Sequence, residues 1–317
     1  FHEKHKGQLF ADRSAQDIVR MLLDACALAG VQRWQPCTIE TIEAEAASAP
    51  RSGPSRYRLH TSQGLVQAHN LVVATGGLSI PKIGATDFGY RIAKQFGLPI
   101  VAQRPGLVPL RFAGEDWAPY ADLAGVALPV RISTGEKQAA IACGEDLLFT
   151  HRGLSGPAIL QISSYWQPGQ PLTIDLLPHL DIAAALQEAK ASSKKQLPNL
   201  LAQWLPTRLA EAWCQHTPAW QGPVNQCSDK ALAQLAHSLS HWQITPSGTE
   251  GYAKAEVTLG GVDTQALAQQ SMQAKQQPGL FFIGEVVDIT GWLGGYNFQW
   301  AWASAYACAQ ALQAASA

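Results

Sequence analysis

The stretch Gly284-Glu-Val-Val-Asp-Ile-Thr-Gly-Trp-Leu-Gly-Gly-Tyr-Asn-Phe-Gln299 is the most informative part of the chain. It follows the apolar run 280–283, which has the composition of a buried strand. A strand, a glycine-rich turn and a helix N-terminus in this order build a site for anions or dipoles, because free N–H groups of the first helical turn point at the ligand. Glu285 or Asp288, just after the strand, is suited to bond ribose or ribityl hydroxyls. The alternative is glycine-rich packing between a strand and a helix.

The segment after this turn has no charged residue as far as Ala317. We predict a long helix from about Asn297, with Asn297 itself as the N-cap. Gln310 and Gln313 interrupt its apolar character, so the pattern favours a buried helix over a membrane span.

A second motif lies far upstream, at Asn70-Leu-Val-Val-Ala-Thr-Gly-Gly77. An apolar strand that ends in paired glycines is typical of a buried parallel strand. The glycines allow the backbone to approach a ligand beyond the carboxyl end of the strand. An ordinary tight turn after a strand is the alternative. Together, the two motifs indicate two parts of one ligand cradle.

The rest of the chain changes character twice. Residues 104–177 contain short strand-like pieces separated by Gly and Pro, and residues 178–250 have helical periodicity. We therefore predict a nucleotide-binding unit in two parts, residues 1–103 and 251–317, interrupted by a β-rich and then helical module over 104–250.

Local patterns predict several further elements. A helical stripe covers residues 14–30 with Ser14 as its cap, and an extended segment follows over 31–42. A hairpin is expected over 57–68 and a helix near 264–274. We also predict that Ser155 caps a helix beginning with Pro157. The tryptophans at 204, 213, 220 and 242 are predicted to pack in the core.

Composition limits the function classes. Hydrophobic residues make up 47% of the chain and charged residues 15%, which excludes a disordered polyelectrolyte. The net charge of −1 provides no field that attracts nucleic acid or an anionic membrane, so we expect a small-molecule substrate and neither of those partners. The six cysteines form no C-x-x-C pair, so no metal site is predicted and reduced thiols in a cytoplasmic protein are expected.

Five stretches of the chain, taken together, resemble the YhiN/BaiN-like FAD-dependent oxidoreductase family. They are Gly7–Phe10, Ala74–Ser79, Leu148–Pro157, Ala255–Val262 and Gly284–Gln299. The resemblance follows the order of the family over nearly the whole chain. It implies an α/β fold with a two-dinucleotide-binding-type FAD domain, an inserted β-rich plus helical module, and FAD as cofactor. NAD(P)H is implied only as a transient electron donor.

The resemblance also implies a set of cofactor contacts. Ile39 would meet the adenine with its backbone, and Thr75, Gly76 and Gly77 would line the adenosine and pyrophosphate side. Gly284, Glu285 and Asp288 would lie by the pyrophosphate and ribityl chain. The flavin ring would face Gly294, Gly295, Tyr296 and Asn297, where a positive helix end stabilises an anionic reduced flavin.

One departure from the family affects the FAD domain. The family begins with a strand and a Gly-rich dinucleotide turn, whereas this sequence contains no G-x-G-x-x-G. The resemblance therefore implies a preceding segment that carries this turn, and an FAD domain that is incomplete at its N-terminus in these residues. The alternative is a natural chain that has lost flavin binding.

Candidates for catalysis follow from residue type and from nearness to the cofactor motifs. Reduction of an activated C=C bond needs a proton donor, for which Tyr296 and Lys254 are suited, and Thr258 is a candidate to orient the substrate. His151 and Arg152 are candidates to hold a substrate oxygen, or else belong to a loop that joins two sheet edges. The expected activity is flavin-dependent C=C reduction. A flavin-dependent amine (aminoacetone-type) oxidase and a flavin-free binding or structural protein are the alternatives.

Overall fold

The computed structural model describes residues 1–3, 7–44, 56–135 and 140–316. Helices and sheets both occur along the chain, which confirms the predicted α/β class. The chain divides into two compact units. Unit 1 consists of residues 1–76, 87–101 and 261–317, and unit 2 consists of residues 77–86 and 102–260.

Strands and helices are interspersed along the chain. In chain order, the strands are β1 (His2–Glu3), β2 (Leu9–Phe10), β3 (Ile39–Ala44), β4 (Tyr57–Thr61), β5 (Gly64–Ala68), β6 (Leu71–Val73), β7 (Ile100–Gly106), β8 (Leu110–Arg111), β9 (Ala127–Thr134), β10 (Ile141–Thr150), β11 (Gly153–Ser155), β12 (Leu172–Asp175), β13 (Trp242–Ile244), β14 (Gly248–Thr249), β15 (Val257–Val262) and β16 (Leu280–Phe282). The helices are α1 (Gln16–Leu28), α2 (Phe88–Gln95), α3 (Gly114–Trp117), α4 (Pro157–Ser163), α5 (Ile182–Ser192), α6 (Leu197–Leu201), α7 (Thr207–Gln215), α8 (Asp229–Ser240) and α9 (Tyr296–Ser316). Single 3₁₀ turns occur at Pro81–Ile83, Ala118–Leu123, Pro218–Trp220, Val224–Gln226, Thr264–Ala266 and Gly284–Val286.

A parallel strand pair forms the centre of unit 1. β6 and β16 run side by side, with Leu71 opposite Leu280 and Val73 opposite Phe282. The far edge of β16 is covered, since Phe282 N–H donates to the carbonyl of Met272. The opposite edge, on β6, has no strand neighbour within the described ranges. Because the pair is parallel, the carboxyl ends of both strands lie at the same edge.

The predicted hairpin is confirmed as β4 and β5, which form a three-stranded antiparallel sheet with β3. Tyr57 anchors this sheet within unit 1. Its fully buried ring meets Phe96 edge-on, with 6.2 Å between ring centroids, and its hydroxyl donates to the carbonyl of Pro278 at 2.7 Å.

Helices α1 and α9 leave apolar side chains uncovered. No residue of α1 is buried, although its sequence is amphipathic. In α9 the buried side chains, among those described, are Ser304 and Cys308, whereas Phe298, Trp302 and Tyr306 are exposed. The predicted burial of this helix is therefore wrong, because no described element of unit 1 covers that face. None of the described helices has the length and apolar content needed to cross a bilayer.

Unit 2 contains a seven-stranded sheet in the order β13-β12-β9-β10-β11-β8-β14, with every adjacent pair antiparallel. Its apolar side chains join those of α4 to α8 in one continuous core. Trp213 and Trp242 are buried there, and Trp204 and Trp220 pack against it, which confirms the predicted role of these tryptophans.

Strands β7 and β15 form a separate two-stranded sheet, in the two segments where the chain passes between the units. Unit 2 takes up residues 77–86 and 251–260, which the sequence analysis assigned to the two nucleotide-binding segments. The division into an FAD-binding domain and an inserted substrate module stays a prediction.

Some local predictions are wrong. Residues 264–274 form only the 3₁₀ turn Thr264–Ala266, because Gln273 bridges to Phe281 and its carbonyl accepts the N–H of Ala268. Of the segment 31–42, which was predicted to be extended, only residues 39–42 form a strand, as the first part of β3.

Two predicted helix caps are also wrong. Ser155 ends β11, so Gly156 occupies the cap of α4, where the backbone needs a φ of 86°. At α1 the cap position belongs to Ala15, and the Ser14 hydroxyl accepts the N–H of Gln16 instead.

Candidate functional site

The two glycine-rich motifs meet at one edge of unit 1. Because β6 and β16 are parallel and in register, the turns that follow Val73 and Phe282 leave the pair at the same end. A Cβ atom on Gly89 of α2 would lie 2.2 Å from Thr75 Oγ1 and 2.9 Å from Val286 Cγ2. Helix α2 therefore packs directly under both turns, at a distance that only glycine permits.

Helix α9 fixes the second turn through the backbone of Gly284. Ser304 Oγ accepts the Gly284 N–H at 2.9 Å, and Trp300 Nε1 donates to the Gly284 carbonyl at 3.0 Å. Gly284 has a φ of 72°, a left-handed conformation that favours glycine. Neither Trp300 nor Ser304 was predicted from the sequence as a site residue. Their spacing of four residues, on one face of the helix, is the signal that points to a shared contact.

The chain after the turn is held against the end of β15. Asp288 N–H donates to the carbonyl of Val262 at 2.9 Å. A Cβ atom on Gly261 would lie 2.6 Å from the carbonyl oxygen of Val286, so glycine is needed for this approach. The backbone of Asp288 is thereby fixed, and its side chain is half-buried.

The loop before α9 is closed by Asn297. Its Oδ1 accepts the Gly291 N–H at 2.8 Å, and its Nδ2 donates to the Gly291 carbonyl at 3.1 Å. The helix begins at Tyr296, so the prediction of Asn297 as N-cap is wrong: its side chain fastens the loop. Gly294 and Gly295 have φ angles of 114° and 98°, which let the loop turn into the helix.

Tyr296 lies at the start of α9 with 62% of its side chain exposed. Its ring edge borders Gly294, where a Cβ atom would lie 3.9 Å from Tyr296 Cε2 and 3.5 Å from Gln8 Nε2. Unit 1 therefore brings Gln8 to the same loop, a residue that the sequence analysis quoted only within a family stretch. Ile39 lies elsewhere in unit 1, half-buried in β3.

Open space lies beside three of the site glycines. No described atom comes within 4 Å of a Cβ position on Gly76, Gly284 or Gly295. The edge formed by the two turns and the start of α9 thus leaves space beside these glycines, although both backbone polar groups of Gly284 are bonded to Ser304 and Trp300. Such an edge has the shape that a ligand with phosphate or ring oxygens requires.

The other predicted site residues belong to unit 2. Thr258 is buried, and its Oγ1 accepts the Leu78 N–H at 2.7 Å, with Ser79 Oγ 3.4 Å away. Its hydroxyl therefore supports the backbone of the segment after Gly77. Lys254 is exposed, and its backbone N–H donates to the carbonyl of Gly251 at 3.0 Å.

The segment after Gly77 contains a strained residue. Ile80 has φ 54° and ψ 65° and precedes Pro81, although β-branched residues avoid this region and residues before proline avoid helical backbone. Such a conformation costs about 1–3 kcal/mol. Tyr252 helps to hold it, since its carbonyl accepts the Ile80 N–H at 2.8 Å. Burial raises the pKa of the Tyr252 phenol, so the phenol keeps its proton at neutral pH.

His151 and Arg152 form the turn between β10 and β11, and both are exposed. Arg152 Nη1 lies 3.8 Å from Glu250 Oε2, a loose ion pair. Glu250 Oε1 is buried and has no hydrogen-bond partner among the described residues. The turn also bonds the chain just after β8, since Phe112 N–H donates to the carbonyl of Arg152 at 3.2 Å, as the loop interpretation requires. It leaves the Arg152 guanidinium largely in solvent.

Comparison with known proteins identifies relatives over nearly the whole chain. The family described as "HI0933-like protein Rossmann domain" matches residues 1–311. A protein of Haemophilus influenzae named "Ribosomal RNA dihydrouridine synthase" is 45% identical over 317 residues, which covers 98% of this chain and 75% of that protein. An Escherichia coli protein of the same name is 48% identical over 316 residues, covering 99% of this chain and 76% of the relative. The "3-dehydro-bile acid delta(4,6)-reductase" of Clostridium scindens is 26% identical over 258 residues, or 77% of this chain and 62% of that enzyme.

Proposed function

The chain belongs to the HI0933-like Rossmann-domain family, as the sequence resemblance predicted, and from this premise we propose that it is a flavin-dependent reductase that converts uridine in ribosomal RNA to dihydrouridine. The observation that carries the proposal is the parallel register of β6 and β16, which brings two glycine-rich turns to one edge. In α/β sheets, ligands bind beyond the carboxyl ends of parallel strands.

FAD is the proposed cofactor, and the residues at this edge fit it. The open space beside Gly76, Gly284 and Gly295 gives a flat dinucleotide room to approach. We assign Thr75 and Gly76 to the adenosine and pyrophosphate side, and we keep the prediction for Ile39 and Gly77. Glu285 and Asp288 are the proposed partners of ribose or ribityl hydroxyls, and residues 294–297 are the proposed partners of the flavin ring. When bound, FAD supplies the hydride.

The substrate proposal comes from the relatives. The two relatives at 45% and 48% identity are named for dihydrouridine synthesis in ribosomal RNA. Dihydrouridine differs from uridine by saturation of the C5=C6 bond, which is conjugated to a carbonyl. The name of the third relative also describes a double-bond reduction, in a bile acid. All three names therefore fit the predicted reduction of an activated C=C bond.

We therefore propose RNA as the substrate, in place of the small molecule that the net charge led us to expect. A net charge of −1 still argues against tight binding along a phosphate backbone. An enzyme that modifies one base needs fewer phosphate contacts, because it recognises a single base extruded into its pocket. In the reaction the C5=C6 bond gains one hydride and one proton, and a reduced nicotinamide donor is oxidised.

The chain has to supply the proton. Tyr296, exposed at the start of α9, and Lys254, exposed in unit 2, are the proposed donors. Thr258 is proposed to act by holding the segment that follows Gly77, since its hydroxyl is bonded there. His151 and Arg152 stay proposed contacts to a substrate oxygen.

The test uses protein expressed from the whole reading frame. We expect flavin absorption bands that survive gel filtration, and dihydrouridine formed in unmodified, in vitro-transcribed ribosomal RNA when NADH or NADPH is added. Mass spectrometry of nuclease digests detects the gain of two hydrogens. A coloured protein that consumes oxygen with aminoacetone and leaves RNA unchanged would favour the oxidase. A colourless, folded protein would favour the flavin-free alternative.

A matched pair of variants tests the site. Gly294→Ala and Gly64→Ala place a side chain on similar backbone, with φ angles of 114° and 120°. Gly294 borders the start of α9, whereas Gly64 lies in the β4–β5 hairpin. We expect Gly294→Ala to lower flavin content and Gly64→Ala to leave it unchanged. Equal flavin content in both variants would contradict the proposed position of the flavin ring.

A further inference from the structure

Residues 80–84, Ile-Pro-Lys-Ile-Gly, form a small exposed projection of unit 2, which we call the tip. Every residue of the tip is exposed, including Ile80 at 40% and Ile83 at 80%. Its centre is the 3₁₀ turn Pro81–Ile83, closed by the Gly84 N–H on the carbonyl of Pro81. The tip therefore presents two isoleucines and Lys82 to solvent on a short, ordered turn.

The strain at Ile80 is not offset by complete burial of its side chain. Two other described non-glycine residues, Leu107 and Met272, have positive φ angles of 45° and 62°. Both are buried, so their side chains gain from packing. Ile80 has the same unfavourable backbone and a β-branched side chain, of which 40% stays exposed. An exposed apolar side chain in a strained position is evidence that the side chain is used on something outside the fold.

The base of the tip is fixed at two points. Thr258 Oγ1 accepts the Leu78 N–H, and the Tyr252 carbonyl accepts the Ile80 N–H. Thr258 is buried, so the first of these bonds is shielded from water. These bonds hold the backbone of Leu78 and Ile80 at the base of the tip. The tip also follows directly after the Gly76-Gly77 turn in the chain, where a ligand site is proposed.

We propose that the tip is an RNA-contacting wedge: Ile80 and Ile83 pack against bases next to the target uridine, and Lys82 binds a neighbouring phosphate. The proposal rests on the proposed function. An enzyme that reduces a pyrimidine ring has to remove it from its stack, and rigid apolar side chains that insert between neighbouring bases lower the cost of that step. Lys82 supplies the charge complement, since it forms no ion pair within the described structure.

The experiment compares purified holoenzyme variants on unmodified, in vitro-transcribed ribosomal RNA. Ile80→Gly removes the side chain and relieves the backbone, and Ile80→Asn keeps a side chain that tolerates left-handed backbone. The control is Leu65→Ala, because Leu65 is an exposed apolar residue of the β4–β5 hairpin. Thermal unfolding, RNA affinity, dihydrouridine formation and the rate of flavin reduction by NADPH are measured for each protein.

We expect both Ile80 variants to be as stable as the wild type but to form dihydrouridine about tenfold more slowly. Flavin reduction by NADPH should not change, because RNA takes no part in it. Lys82→Gln should reduce the slope of log affinity against log salt by about 0.7–0.9, the value for one phosphate contact. Leu65→Ala should match the wild type in every measurement.

The possible failures are distinguishable. If the wild type forms no dihydrouridine, the proposed function fails and the tip proposal fails with it. If the wild type is active and the Ile80 and Lys82 variants bind and modify RNA equally well, only the tip proposal is overturned. A loss of stability in both Ile80 variants would also overturn it, because the side chain would then serve the fold.

Discussion

Unit 2 encloses one continuous apolar core, whereas unit 1 leaves apolar side chains of two helices in solvent. The buried cluster of unit 2 includes Phe149, Trp213 and Trp242, and the ring of Trp242 contacts the other two. In unit 1, α1 has no buried residue and α9 exposes Trp302. The turns of the candidate site belong to unit 1 and are held by polar contacts from α9 and its loop.

The difference shows that stability and site geometry depend on different forces in this chain. Removal of apolar surface from water stabilises unit 2, at about 25 cal/mol per Å². Directed hydrogen bonds of Ser304, Trp300 and Asn297 shape the turns of unit 1. A lost contact in unit 1 should therefore alter the site while unit 2 stays folded. Four predictions test this contrast.

The largest expected effect comes from two tryptophans. Trp242→Ala removes a ring from the core of unit 2 and should lower the free energy of unfolding by about 3–5 kcal/mol. Trp302→Ala removes a ring that is 53% exposed, so its effect should stay within about 1 kcal/mol. Urea unfolding of both variants provides the measurement. A large loss of stability for Trp302→Ala would contradict this contrast, because the exposed face of α9 would then be covered in solution.

Two glycines with similar backbone give the second effect. Gly156 in unit 2 has a φ of 86°, and a Cβ atom there would lie 2.8 Å from the carbonyl oxygen of Asp146. Gly295 in unit 1 has a φ of 98° and open space around it. Gly295→Ala should lower the free energy of unfolding by about 1–2 kcal/mol, through the backbone conformation alone. Gly156→Ala should lower it more, because the close-packed neighbours cannot make room for the added methyl group. Chemical denaturation measures both, and equal losses would contradict the contrast in packing.

The third effect depends on pH. Burial raises the pKa of Cys214 in the core from 9.0 to about 12, and nearby Cys227 acts in the same direction. Below pH 9 the folded and unfolded chains both keep this proton. Above it the unfolded chain releases the proton first, so stability falls as pH rises toward 12. Allowing for solvent screening, we expect a loss of about 1 kcal/mol between pH 9 and 10.5.

Unfolding of the Cys214→Ala variant at both pH values checks this effect. The variant should lack that part of the pH dependence. Its control is Cys26→Ala in α1, which should keep the wild-type dependence. If Cys214→Ala follows the wild-type curve, the thiol is not shielded by the core.

The smallest effect comes from surface ion pairs, one in each unit. In unit 2, Lys190 Nζ of α5 lies 2.7 Å from Asp229 Oδ1 of α8. In unit 1, Arg13 Nε lies 3.2 Å from Asp17 Oδ2 at the start of α1. Lys190 lowers the pKa of Asp229 through a hydrogen bond and its charge, so this pair weakens as pH falls through that lowered value. Asp229→Asn and Asp17→Asn should both change the melting temperature little at neutral pH. A large change in either would show that a pair supports more of its unit than exposed charges normally do.

Local patterns were enough to find the elements that frame the site. The apolar runs that became β6 and β16 each end in glycine, and the absence of charge after Ile289 marks α9. The sequence also pointed to one cradle from two distant motifs, and the structure brings their turns to one edge. Composition and turn chemistry act over a few residues, which is why these predictions were possible.

Contacts between distant residues could not be read in the same way. Asn297 is a residue type that often caps helices, but its side-chain amide is hydrogen-bonded to the backbone of Gly291. The bonds from Trp300 and Ser304 to Gly284 depend on how α9 lies against the turn. The strain at Ile80 is invisible in the sequence, because it arises from bonds to partners more than 170 residues away.

The nested order of the units has a consequence for the time course of biosynthesis. Chains emerge from the N-terminus, and domains generally fold as units. Unit 2 is complete once residue 260 has been made, whereas unit 1 still lacks the segment 261–317 with β16 and α9. Strand β6 therefore has no parallel partner until β16 has been made, after the residues of unit 2. The turns at Gly76 and Gly284 can come together only after residue 284 has been made, when the core of unit 2 has had time to form.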